Sequence, residues 1–125
     1  MPVLPEAVSK AWENREGPVI LITVDTEVNP NAIYATCVSK YRENMLVVAD
    51  NFFNKTRANI LAENQASLLV ITKEGKSYQI KGKIEYHTEG AVFEDMKKWN
   101  PAKLPGRAAA ALRVEQVFSG AEKLV

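Results

Sequence analysis

Three runs in this chain are apolar on both sides of a strand. Val19-Ile20-Leu21-Ile22-Thr23-Val24, Met45-Leu46-Val47-Val48-Ala49 and Leu68-Leu69-Val70-Ile71-Thr72 have no alternating polar face. Side chains alternate across a strand, so each run brings two apolar surfaces that must leave water. One surface can line a barrel interior. The other needs helices or a second chain over it. The elements between these runs lack a βαβ rhythm, which argues against a doubly wound parallel sheet. The spacing fits a small antiparallel barrel with peripheral helices.

The other elements follow from periodicity. Leu4, Val8, Ala11 and Trp12 form a helical stripe behind Pro5, and Gly17-Pro18 stops it. Asp25 to Asn31 is a turn, and Ala32 to Ser39 returns as a second strand. A helix is expected over Lys55 to Asn64. Tyr78, Ile80, Gly82, Ile84 and Tyr86 alternate with Gln79, Lys81, Lys83 and Glu85, the pattern of a long half-exposed strand. Thr88 can cap a helix from Glu89 to about Trp99. The last segment is ambiguous: Ala108 to Ala111 favours helix by propensity. Leu112, Val114 and Phe118 favour a strand over about Ala109 to Phe118, which we adopt. The sum is six or so strands and three helices in one domain spanning 1–125.

Composition narrows the function classes. A chain of 125 residues can bury about two-thirds of its unfolded surface and needs no staples. A net charge of +1 creates no field to gather nucleic acid or an anionic membrane. Cys37 is the only cysteine, so neither an intramolecular disulfide nor a thiolate zinc site can form within one chain. This fits a reducing cytoplasm. No apolar run approaches the ~20 residues that span a bilayer. Met1 to Lys10 lacks the basic and apolar regions of a secretory signal. His87 is the only histidine and has no partner for a metal site or triad, so no metal is expected. Lys73, Lys76, Lys81 and Lys83 form a basic strip interrupted by Glu74 and Glu85, read as a solvated face.

The chemistry concentrates in Val48 to Ile60. A strand there runs through Ala49, Asp50, Asn51, Phe52 and Phe53 into a helix whose first turn holds Asn54, Lys55, Thr56 and Arg57. A helix start has free N–H groups and partial positive charge. An ammonium, a hydroxyl and a guanidinium beside it make a phosphate cradle. Two phenyl rings could contact a flat apolar body. The local reading is a phosphorylated, partly aromatic small molecule. The ordinary alternative is a solvated helix turn behind an Asn54 cap. Asn59 either faces the ligand or sits on the exposed helix side. There is no P-loop and no G-x-G-x-x-G.

The order of elements, with Met45-Leu46-Val47-Val48-Ala49-Asp50 running into Asn54-Lys55-Thr56-Arg57-Ala58-Asn59-Ile60, resembles the FMN-binding split-barrel family. This is the superfamily of pyridoxamine 5′-phosphate oxidase and the small bacterial FMN-binding proteins, and the likeness is closest to the latter. The Lys-Thr-x-x-Asn segment is its most specific piece, and Arg107 to Leu112 looks like the family's last strand. The resemblance covers about Ala11 to Phe118. It implies a mainly β, six-stranded antiparallel split barrel. It also implies a homodimer with FMN near the subunit interface. Lys55 and Thr56 would hold the phosphate, and Ala49 to Phe53 would lie along the isoalloxazine. Thr36, Cys37 and Val38 would contact the ring or ribityl chain. Trp99 is a candidate cover for the flavin, although its helical stripe reads as core. Cys37 by itself reads as a small buried hydrophobe.

The substrate-binding basic and imidazole residues of true pyridoxamine-phosphate oxidases are not recognisable here, which argues against that specific activity. The expectation is a flavoprotein in an oxidoreductase or electron-transfer role, with no side chain assigned to catalysis and an unidentified electron donor or acceptor. The alternatives are a split barrel carrying deazaflavin or haem, or a non-enzymatic dimeric interaction module.

Overall fold

A computed structural model describes residues 3–125 of the chain. Met1 and Pro2, the first residues of the segment read for a leader, lie outside the described residues. The elements run α1 (Glu6–Glu13), β1 (Val19–Val24), β2 (Pro30–Ala35), β3 (Val38–Tyr41), β4 (Met45–Asp50), α2 (Lys55–Leu61), β5 (Gln65–Ile71), β6 (Ser77–His87), α3 (Ala91–Trp99), β7 (Ala108–Ser119) and β8 (Glu122–Lys123). The strands form one sheet in the order β2-β1-β5-β6-β7-β4-β3, with β8 on β7. Neighbours pair antiparallel throughout.

The sheet curls into a split barrel, as expected, but with eight strands rather than six. The single strand expected over Ala32 to Ser39 is broken at Thr36-Cys37. Its first half pairs with β1 at one margin of the sheet, and its second half pairs with β4 at the other. The chain therefore crosses from margin to margin in two residues, and the seam between β2 and β3 is bridged by covalent backbone. The short β8 supplies the remaining strand.

Alternation sorts the apolar runs as the pattern demands. Val19, Leu21, Leu46, Val48, Leu68, Val70, Ile80, Leu112, Val114 and Val117 fill the interior. Leu4, just before α1, and Val8 and Trp12 of α1 join this cluster and close the end of the barrel where β1 begins. On the other face of β4, Met45, Val47 and Ala49 pack with Ala109 and Ala111 of β7 under Val92 and Met96 of α3. The alanines of β7 are strand, not helix, because small side chains let α3 sit close on the sheet while the backbone completes the ladder. The outer faces of β1 and β5 have no such cover. Ile20, Ile22 and Leu69 remain half-buried, and Ile71 is exposed.

Two helix ends differ from expectation. α2 stops at Leu61 instead of Asn64 because Glu63 takes a left-handed conformation (φ 60°). α3 starts after Gly90, whose φ of 94° suits glycine, and Thr88 is not its cap.

Candidate functional site

A groove of about 560 Å³ opens at the seam. Its walls are β2 from Ala32 to Ala35, the crossing residues Thr36 and Cys37, and Ala49, Asn51, Phe52, Phe53 and Leu104. Ala32, Ile33, Phe52 and Phe53 also line a second hollow of about 260 Å³, whose other walls are Asn31, Asn54, Lys55 and Thr56. The two share a wall, so the groove runs from an apolar reach to a polar, cationic one. Strand alternation explains the first reach. Ala49 faces outward, and Cys37, whose carbonyl accepts from the Ala49 N–H at 3.0 Å, lies beside it where the chain crosses from β2.

The polar reach is partly preset. Thr56 is buried, and its hydroxyl accepts a hydrogen bond from Asn31 Nδ2 at 3.0 Å. Its own proton is left for an acceptor. Asn54 makes no side-chain capping hydrogen bond to α2, which removes the ordinary explanation for a polar residue there. Lys55 is exposed and joins no ion pair among the described residues.

Several site expectations need correction. Asp50 points to the other side of β4 from Ala49, and its side chain is fully buried (0% exposed). There it accepts hydrogen bonds from the Phe53 N–H (3.0 Å), from Arg57 Nε (2.8 Å) and Nη2 (3.1 Å), and from the Tyr86 hydroxyl. Arg57 is thus committed to the polar end of the barrel under α2 and lines none of the groove's hollows. Burial pushes the Asp50 carboxyl up, but the bonds from Arg57, Tyr86 and Phe53 outweigh it and hold it below its ordinary range. Val38 packs in the interior cluster rather than on a ligand surface. Trp99 lies on the α3 side of the sheet, with Nε1 donating to Asp95 at 3.3 Å. Cys37 is half-exposed on the groove wall, not fully buried.

Other expected residues gain a defined role. Asn51 lines the groove, and its amide is locked to Asn100 in a reciprocal pair (3.1 and 3.0 Å) while Oδ1 also accepts from the Gly106 N–H at 2.9 Å. These bonds anchor the loop that carries Leu104 to the groove. Phe53 packs against the interior cluster, whereas Phe52 is 72% exposed. Asn59 is a buried residue of α2, with Nδ2 donating to Thr23 Oγ1 at 3.0 Å. Leu104, Asn31 and the β2 wall were missed in the sequence. Only the groove-facing alternation of β2 could have signalled the wall. The Asn31 to Thr56 bond spans 25 residues and leaves no local signature.

A family model described as pyridoxamine 5′-phosphate oxidase matches residues 4–119, nearly the whole chain. The chain belongs to the pyridoxamine 5′-phosphate oxidase family. It is 28% identical over 119 residues to an uncharacterized protein of Methanocaldococcus jannaschii, covering 93% of this chain and 80% of that one. The split-barrel fold is shared with HupZ of Group A Streptococcus (TM-score 0.81, 23% identity, 93% of each chain). It is also shared with an FMN-binding protein of Syntrophomonas wolfei (TM-score 0.73, 17% identity, 90% of this chain and 94% of that one). HutZ, the heme storage protein of Vibrio cholerae, has it too (TM-score 0.68, 19% identity, 95% of each). Solved structures with this fold thus include proteins named for FMN, for F420 and for haem. No helix among the described residues is long and apolar enough to cross a membrane.

Proposed function

We propose that the chain is an FMN-binding redox protein that works as a homodimer, with the flavin ring in the apolar reach of the groove and the phosphate at Lys55 and Thr56. The gradient along the groove carries this reading. A tricyclic ring needs flat apolar walls, and a phosphate needs donors and positive charge. The Thr36–Leu104 reach offers the first, and Lys55 with the Thr56 hydroxyl offers the second. The fit does not lean on the dipole of α2, which has only seven residues. Bound FMN supplies electron and hydride transfer. The chain's part is to grip the phosphate, wall the ring and exclude water. The ring-end lining holds neither carboxylate nor imidazole, so no proton-transfer residue is assigned.

Lys55→Ala is expected to weaken FMN binding roughly tenfold, the loss of one charge-assisted contact, while riboflavin binding stays unchanged. Fluorescence titration of both ligands checks this. Equal losses for the two would contradict a phosphate role.

The second subunit is argued from uncovered apolar surface. In register across the sheet, Tyr34 lies beside Ile20 and Ile20 beside Leu69. Tyr34 and Phe52 are each 72% exposed at the groove. A contiguous apolar face next to a ligand cleft marks an interface. Light scattering is expected to give twice the 13.9 kDa chain mass, and Ile22→Glu to return a monomer with weakened FMN binding. A monomeric parent protein that still holds FMN would refute the shared site.

Haem is the rival cofactor, prompted by the likeness to HutZ. His87, the chain's one histidine, pairs with Glu85 at 3.0 Å and does not line the groove, which favours the flavin. A yellow preparation that releases its chromophore in acid supports FMN. A Soret band supports haem.

A further inference from the structure

The groove does not stop at Lys55. Lys55 and Asn31 also line a third hollow of about 280 Å³, completed by Asp25, Asn29, Pro30, Ala58 and Asn59. FMN, ending at its phosphate, would leave this hollow empty. We propose that it receives the extension of a dinucleotide flavin, the adenosine half of FAD, an inference that rests on the flavin reading above.

The chemistry of the lining selects that class of extension. Two of its amides are fixed in place: Asn31 donates to Thr56 Oγ1 and Asn59 to Thr23 Oγ1, both at 3.0 Å. Asn59 is buried, so its orientation is set by the fold before any ligand arrives. Preorganised amides suit ribose hydroxyls and the hydrogen-bonding edge of a base, because each offers both a donor and an acceptor. Asp25 adds a carboxylate, oriented by the backbone N–H groups of Glu27 and Asn29 (2.9 and 2.8 Å) and by the Asn29 amide (3.1 Å). A carboxylate accepts from hydroxyls and repels a second acid. The adenosine beyond the bridging phosphate, neutral and rich in donors, fits, and a carboxylate-rich tail does not. Lys55 stands where the two hollows meet, the place of a bridging phosphate.

The test titrates the full chain with riboflavin, FMN and FAD by calorimetry and repeats the series with Ala58→Phe. Ala58 is an exposed helix position on the wall of the hollow, so phenylalanine fills the space at little risk to folding. FAD is expected to bind at least as tightly as FMN. The variant is expected to lose about tenfold in FAD affinity, with FMN changed less than about twofold. FMN binding with FAD at least tenfold weaker overturns the proposal while leaving the FMN reading intact. Equal losses of both ligands in the variant do the same. Failure of all three flavins to bind removes the flavin reading itself, and the dinucleotide with it.

Discussion

Gly82→Ala is expected to destabilise the protein by on the order of 3–5 kcal/mol, among the largest effects a single methyl can have. The added Cβ would lie 1.9 Å from the Arg113 carbonyl oxygen and 3.1 Å from its carbon, both backbone atoms of β7. Neither can swing aside as the tip of a side chain could. The glycine is not required for a left-handed conformation, since its φ is not positive. It is required by the irregularity between Lys81 and Gly82, where the register of β6 on β7 shifts. Glycine inside a strand commonly marks such a bulge or a close backbone approach. β6 and β7 are the longest strands, and they join the two halves of the sheet, so displacing one disturbs the whole barrel. Thermal unfolding followed by circular dichroism should show the midpoint lowered by roughly 10–20 °C. A shift of only a few degrees would show that β7 yields easily at Arg113.

Arg57→Ala is the second large effect, and its signature is pH dependence. Removing one partner of a buried ion pair leaves an uncompensated charge and costs about 3–5 kcal/mol. Asp50 is fully buried, but the Arg57 side chain is 28% exposed, so solvent screening reduces the expected cost to roughly 2–3 kcal/mol at pH 7. In the parent protein the Asp50 carboxyl is held below its ordinary value of 3.8. That contribution is present above 3.8 and is lost as pH falls through the lower, folded value. In the variant the sign reverses. Burial, the largest influence on this carboxyl, remains; the Tyr86 and Phe53 bonds still oppose it but the bonds and charge of the guanidinium are gone, so the folded carboxyl is expected to titrate above the unfolded one. The native state then takes up a proton first, and the variant gains stability as pH falls from 7 toward 4. The gap between variant and parent should narrow over that range. Adding Asp50→Asn to Arg57→Ala should recover part of the loss at pH 7, because the buried charge is removed with its partner. A double variant no more stable than Arg57→Ala would mean that the guanidinium acts through packing alone.

Much of this architecture was legible in the chain because period-two patterns survive without neighbours. The alternation of Tyr78, Ile80 and Ile84 placed β6 with its apolar side inward, and the two-sided run at Met45 to Ala49 called for the α3 cover it receives. The break at Thr36-Cys37 was not legible. Ala32 to Ser39 holds no glycine, proline or charged residue to mark a break, and only the competition of two sheet margins for its halves divides it. The site was legible in part for a related reason. Lys55, Thr56, Phe52 and Phe53 are consecutive or nearly so, and a local motif reveals them. Asp50 and Arg57 share that motif, yet alternation along β4 sends Asp50 inward, and Arg57 follows its charge. Leu104 enters on a loop that Asn51 pins at Gly106, 55 residues further along the chain, a contact that no local window contains.

The passage of the chain across the seam in two residues has a consequence for how such a protein can change. No ladder bond ties β2 to β3, so the width of the cleft is decided by whatever is wedged into it rather than by strand pairing. On the flavin reading proposed above, substitutions along that slit would retune which planar chromophore it grips without asking the rest of the sheet to re-register. Ligand choice would then be tuned at the exposed wall positions Tyr34 and Phe52, whereas Ala49, Asn51 and Phe53 line the same cleft but also serve the packing of the fold.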